Sequence, residues 1–78
     1  MYKLNSKYLN YQELIEDLID AGKPYPYTLC VFTYYQHSNE STPALITKMN
    51  QGCNKNNIVT EQMFNSCMDN LIKEGYIS

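Results

Sequence analysis

Apolar residues recur at helical spacing along three stretches of this chain, and residues that start or stop helices bracket each one. In "LNYQELIEDLIDAGKPYP", Leu14, Ile15, Leu18 and Ile19 lie three and four apart and make one stripe. Asn10 caps the helix, and Glu13 three residues on completes a capping-box pattern. Leu9 and Leu14 flank the cap as a hydrophobic staple. Gly22 suits the left-handed position that ends a helix, and Pro24 prevents a restart. The pattern predicts a helix over 11–21. In "STPALITKMNQG", Thr42 caps, Pro43 fits the first helical position and Gly52 ends the segment. Leu45, Ile46 and Met49 share its inner face. In the last stretch Val59 and Thr60 open a helix, with Val59 stapled onto Phe64. Met63, Phe64, Cys67, Met68, Leu71 and Ile72 form its stripe, and Phe64, Met68 and Leu71 are expected core. Gly75 ends it, and Tyr76 and Ile77 fold back as a short apolar tail.

"YPYTLCVFTYYQHSNE" has no such clear period. Its Thr, Val, Phe and Tyr content suits a strand, whereas Pro26 suits a first helical turn. As a helix it places Leu29, Phe32 and Tyr35 or Gln36 on one face, and it is apolar nearly all round, the mark of a buried element. The expectation is a helix over 27–37. Before the first helix, "YKLNSKY" alternates loosely and reads as a short extended arm. The fold class expected is mainly α: a compact domain of about four helices with short extended segments at both ends. Seventy-eight residues make a single domain, divided into an arm and first helix (1–22) and a helical core (27–78).

From Tyr27 to Ile77 the order is helix, capped short helix, connector, longer helix, then "EGYI". This resembles the helix-turn-helix core of the winged-helix families. "STPALITKMNQG" sits where their second helix begins, and "VTEQMFNSCMDNLIKEGYI" resembles their recognition helix and the start of the wing. The resemblance covers about fifty of the 78 residues. It implies a helix that enters DNA. Two departures bear on that. The connector "CNKNN" is longer than the usual 3–4-residue turn, and after Gly75 there is no second wing strand to contact a minor groove. The remaining strand is expected to pair with the N-terminal arm.

Charge turns the expectation away from DNA. Six lysines oppose eight carboxylates, there is no arginine, and the net charge is -2. Proteins that hold DNA by its phosphates collect Lys and Arg, and Arg makes the commonest specific base contact. An AT-rich genome also depletes Arg codons. On the last helix Glu61, Gln62, Asn65, Ser66, Asp69 and Lys73 face outward. Gln62 and Asn65 carry the amides that match adenine edges, and Lys48, Lys55 and Lys73 are the candidate phosphate contacts. Glu61 and Asp69 oppose them.

Two other features suit a protein partner. Glu13, Glu16, Asp17 and Asp20 lie three and four apart as an acidic ridge with no lysine between them. Asp20 also opposes the helix dipole. Such a ridge can steer a partner with a basic surface. There are eight tyrosines, and Tyr34 and Tyr35 are the candidates for an exposed patch, since Tyr is favoured at interfaces.

Catalytic and metal chemistry find little footing. Cys30, His37, Cys53 and Cys67 are 7, 16 and 14 positions apart, unlike zinc-site spacing. Three cysteines, an odd number, fit no disulfide framework and suit a reducing cytoplasm. No phosphate loop or nucleophile elbow is present, and no run approaches the ~20 apolar residues of a membrane span. The start lacks the apolar stretch of a secretory signal. The expectation is a cytoplasmic non-enzyme without cofactor or metal, whose function is protein binding by occlusion. Its size, missing arginine and acidic helix suit a phage or mobile-element inhibitor of host nucleic-acid machinery, as anti-CRISPR proteins are. The alternative is a small helix-turn-helix DNA-binding regulator, acting as a homodimer.

Overall fold

A computed structural model describes residues 2–52 and 58–78. The helices follow as α1 (Tyr11–Asp20), α2 (Tyr25–Gln36), α3 (Thr42–Asn50) and α4 (Glu61–Lys73). The chain is mainly α, with four helices among the described residues, three of them where the apolar periods predict. Cys53, Lys55 and the rest of "CNKNN" lie outside the described residues.

α1 starts where expected, with the Asn10 side chain accepting the Glu13 N–H at 3.2 Å. The Glu13 carboxylate reaches back to the Leu9 N–H at 2.7 Å, one residue beyond a capping-box contact. The predicted staple is absent: Leu9 is 89% exposed, because the bond to its own N–H turns the chain out before the cap. At the other end Gly22, at φ 73, lets its own N–H meet the Ile19 carbonyl and the Lys23 N–H meet that of Leu18. This is the Schellman closure, which satisfies two carbonyls that the helix leaves open. Gly75 closes α4 in the same way, through Ile72 and Leu71.

α2 is a helix, not a strand, and begins two residues earlier than its sequence suggests. Pro24 takes the cap position in an extended conformation, and Pro26 sits in the first turn. There an amide has no intrahelical acceptor, so a missing N–H costs nothing. α3 is capped by Ser41 rather than Thr42, so Pro43 occupies the second helical position. α4 is capped by Thr60, whose hydroxyl accepts the Met63 N–H at 3.1 Å. Val59 and Phe64, the predicted staple pair, are both buried. The Asn50 side chain grips Val59 from both sides, donating to its carbonyl and accepting its N–H, each at 2.8 Å. That pair ties the end of α3 to the entry of α4.

α2 is the central element. α1, α3 and α4 all pack on it, and α3 also packs on α4. One core joins Leu14 and Leu18, Cys30 and Val31, Leu45 and Met49, and Phe64, Met68 and Leu71. Three members of the predicted stripes point outward instead: Ile19, Met63 and Ile72.

The two ends of the chain meet. Leu4 and Ile77 form an antiparallel bridge, and Lys3 and Ser78 exchange two backbone bonds of 2.8 Å. Ile77 is buried, as a tail folded onto the core should be. The arm is then clamped at Tyr2. Its N–H donates to the Tyr34 hydroxyl at 3.0 Å, and its carbonyl accepts from the Tyr35 hydroxyl at 3.1 Å. The Tyr2 and Tyr34 rings meet edge to face at 5.2 Å, and those of Tyr34 and Tyr35 at 4.9 Å. Tyr34→Phe leaves the part-buried Tyr2 N–H without its acceptor, at a cost of about 1 kcal/mol. The expected result is faster amide exchange at Lys3 and Ser78 with little change in helix content. Unchanged exchange at both would show that the clamp does not hold the arm.

Candidate protein-interaction surface

The acidic ridge is divided by its neighbours. Glu13 is half-buried and bonded to Leu9. Asp17 accepts the Tyr8 hydroxyl at 2.8 Å. Burial, and after it this hydrogen bond, pushes Tyr8 up to about 12, because the phenol loses its water and an anion would face a carboxylate. Glu13 and Asp17 therefore serve the seam between α1 and the chain that enters it. Glu16 and Asp20 are exposed and carry no hydrogen bond or ion pair among the described residues.

The tyrosine pair does not form the exposed patch that composition suggests. Tyr34 is 7% exposed and Tyr35 is half-buried, both turned toward the arm. Burial, reinforced by the neighbouring Tyr34, pushes Tyr35 up to about 12. No local signal in the sequence gives this away, since the group that satisfies both hydroxyls is the backbone of Tyr2, more than thirty residues distant.

The DNA candidates are only partly assembled. Gln62, Asn65 and Lys73 are exposed on α4, with Asp69 on the same face and Glu61 at its first turn. Lys48 stands on α3, where Glu40 lies 3.5 Å from its ammonium and 3.2 Å from His37. Lys55 is outside the described residues. Lys73 is therefore the one candidate lysine that the structure places on the α4 face.

A further cluster of apolar exposure lies on α2 and the flank of α1. Tyr25, Leu29, Phe32 and Gln36 are spaced four, three and four apart, which sets them on one side of the helix. That side looks out between α1 and α3. Tyr25 is 59% exposed and Phe32 43%, and Ile19 on the flank of α1 is 62% exposed. A groove of about 250 Å³ runs between α1 and α2, lined by Ile15, Ile19, Tyr25, Leu29 and Phe32. A second, of about 460 Å³, shares the α2 residues and runs to Lys48 and Gln51 near the end of α3. A helix that is apolar all round needs neighbours on every side, and α1, α3, α4 and the arm at Tyr2 leave the side of Tyr25, Leu29 and Phe32 open. The sequence shows only the apolar coat, which reads as a buried element, and not the number of neighbours that cover it.

The thiols offer little chemistry. Cys30 is wholly buried and Cys67 nearly so. Burial, with Cys67 beside it, pushes the Cys30 thiol up to about 12, and burial raises Cys67 as well. Both are thus held as thiols at neutral pH, the unreactive form. Among the described residues no three His, Cys, Asp or Glu side chains gather as a metal site, and no helix is long and apolar enough to cross a membrane. Compared with protein-family models, with curated proteins and with solved structures, the chain matches none.

Proposed function

We propose that the protein is a non-catalytic protein-binding module that acts by covering a surface of its partner. The observation that carries this reading is the open apolar side of α2. A group of exposed apolar side chains with polar edges is typical of an interaction site. Tyr25 and Phe32 supply the aromatic anchors on which such interfaces concentrate their affinity. The finer reading, an inhibitor of nucleic-acid machinery carried by a phage or mobile element, rests on small size, absent arginine and the carboxylates of α1. The test is paired affinity capture from a bacterial lysate with the wild-type chain and with Phe32→Glu. A partner recovered by the first and lost by the second supports the reading. Equal recovery by both, or by neither, overturns the assignment to this face.

The exposed Gln62 and Asn65 on α4 keep a DNA-binding regulator as the second reading, on the part of the chain that resembles a winged-helix core. Its electrostatics are poor. Each phosphate neutralised adds about 0.9 to the log–log salt slope, and Lys73, the candidate lysine on the α4 face among the described residues, contributes roughly 1 before Glu61 and Asp69 subtract from it. Titration with duplex DNA at ~50 mM salt, where such contacts are strongest, is expected to give no sub-micromolar binding. Tight, sequence-selective binding that Gln62→Ala or Asn65→Ala abolishes would replace the protein-binding reading with this one.

A further inference from the structure

We infer that the open side of α2 receives an amphipathic helix of the partner whose edge nearest α1 is basic. This rests on the protein-binding reading and names the chemistry of what binds.

The shape of the face selects a helix. α2 is flanked by α1 and α3, so its open side is the floor of a valley with a helix on each bank. Helices pack side by side 8–10 Å apart, with ridges of one in grooves of the other. A further helix laid over Tyr25, Leu29 and Phe32 would cover the side that α1, α3, α4 and the arm leave open. An extended peptide has no comparable seat there. The β-pairing among the described residues is the Leu4–Ile77 bridge at the chain ends, which leaves no sheet edge beside α2 for a strand to join.

Charge selects the sign of the edge. The two banks differ. On the α3 side, Lys48 and His37 both lie against Glu40, so the lysine and the carboxylate there offset each other. On the α1 side Glu16 and Asp20 follow directly beyond Ile15 and Ile19 around the helix, and neither has a partner among the described residues. Asp20 sits in the last turn of α1, where a negative charge opposes the helix dipole and weakens the helix that carries it. A lysine or arginine from a docked helix would relieve that repulsion. A second copy docked face to face brings Lys48 to the seam, and that lysine already lies against Glu40.

The probe is a designed helical peptide of about three turns, with Leu at every third and fourth position and Lys along one edge. Two controls share its length: one with Glu in place of Lys, and one with the same composition but the Leu residues scattered. Binding is read by fluorescence anisotropy at low and at physiological salt. The Lys-edged peptide is expected to bind the wild-type chain, weaken with salt, and bind at least about tenfold more tightly than either control. In Glu16→Lys/Asp20→Lys the preference is expected to invert, with the Glu-edged peptide now the tighter ligand. Both carboxylates are exposed, so this variant should fold, and a wild-type circular dichroism spectrum verifies it. Phe32→Ala should weaken both peptides alike. Several outcomes overturn the inference. One is equal affinity for Lys- and Glu-edged peptides, and another is a preference that the double reversal leaves unchanged. A third is sedimentation showing that the chain already buries this face in a dimer. If these fail while Phe32→Glu still abolishes capture of a lysate partner, protein binding at the face stands and the basic helix alone falls.

Discussion

Replacing Leu71 by Ala is expected to lower the melting temperature by roughly 8–40 °C. The side chain is completely buried, in the core shared with Phe64 and Met68. Truncation removes its transfer free energy and leaves a cavity, at a combined cost of about 2–5 kcal/mol. A domain of this length has a total stability of roughly 4–12 kcal/mol, so the change takes a large share of it. Leu71 also accepts the Tyr76 N–H at the close of α4, and collapse into the cavity would pull on the turn that carries Ile77. The control is Ile19→Ala, a change on an exposed side chain, which should shift melting by only a few degrees. Thermal unfolding followed by far-UV circular dichroism measures both, and the starting spectrum should be strongly helical. Equal small shifts for the two would remove Leu71 from the core.

The second large effect is on the alkaline side. Tyr8 and Tyr35 are each pushed up from 10.0 to about 12, and Cys30 from 9.0 to about 12, chiefly by burial. In all three the folded state favours the neutral, proton-bearing form. Their contribution to stability is therefore fully present below the unfolded values. It drains away as pH rises through 9 to 12, because the unfolded chain then releases protons that the folded chain retains. All three shifts act in the same direction, so their losses on the alkaline side reinforce one another. Helix content and the part of the tyrosinate absorbance that is missing from Tyr8→Phe and Tyr35→Phe are expected to change together across this range. Tyrosines that ionise fully while the helices persist would contradict it.

The sequence disclosed the helices well and their surroundings poorly, for a physical reason. Helix ends are set by groups a few residues away. Asn10, Thr60, Gly22 and Gly75 could be read directly, and the errors, Tyr25 for Tyr27 and Ser41 for Thr42, are one or two residues at a proline. What a side chain meets is set by distant chain. The width of the apolar stripe on α1 suggested that Ile19 was buried, yet no helix arrives to cover it. Glu13 and Asp17 looked equivalent to Glu16 and Asp20 until Leu9 and Tyr8 claimed one pair and left the other. Tyr34 and Tyr35 looked like an adhesive surface because the backbone that occupies their hydroxyls lies at the far end of the sequence. The α2 face escaped notice because composition records how apolar a helix is, not how many neighbours it has.

The meeting of the chain ends has a mechanical consequence. Lys3 and Ser78 exchange their bonds at the same extremity from which the two backbones depart, and the pairing runs antiparallel inward to Leu4 and Ile77. A force drawing the ends apart loads these bonds one after another, as a zipper is opened, rather than all at once in shear. Resistance to pulling should therefore be low and the first rupture small. The grip of Tyr34 and Tyr35 on Tyr2, which lies outside the seam on the N-terminal side, is loaded together with it, and both yield while α1 to α4 remain packed. Under tension the molecule would thus lengthen by its arm before it loses a helix.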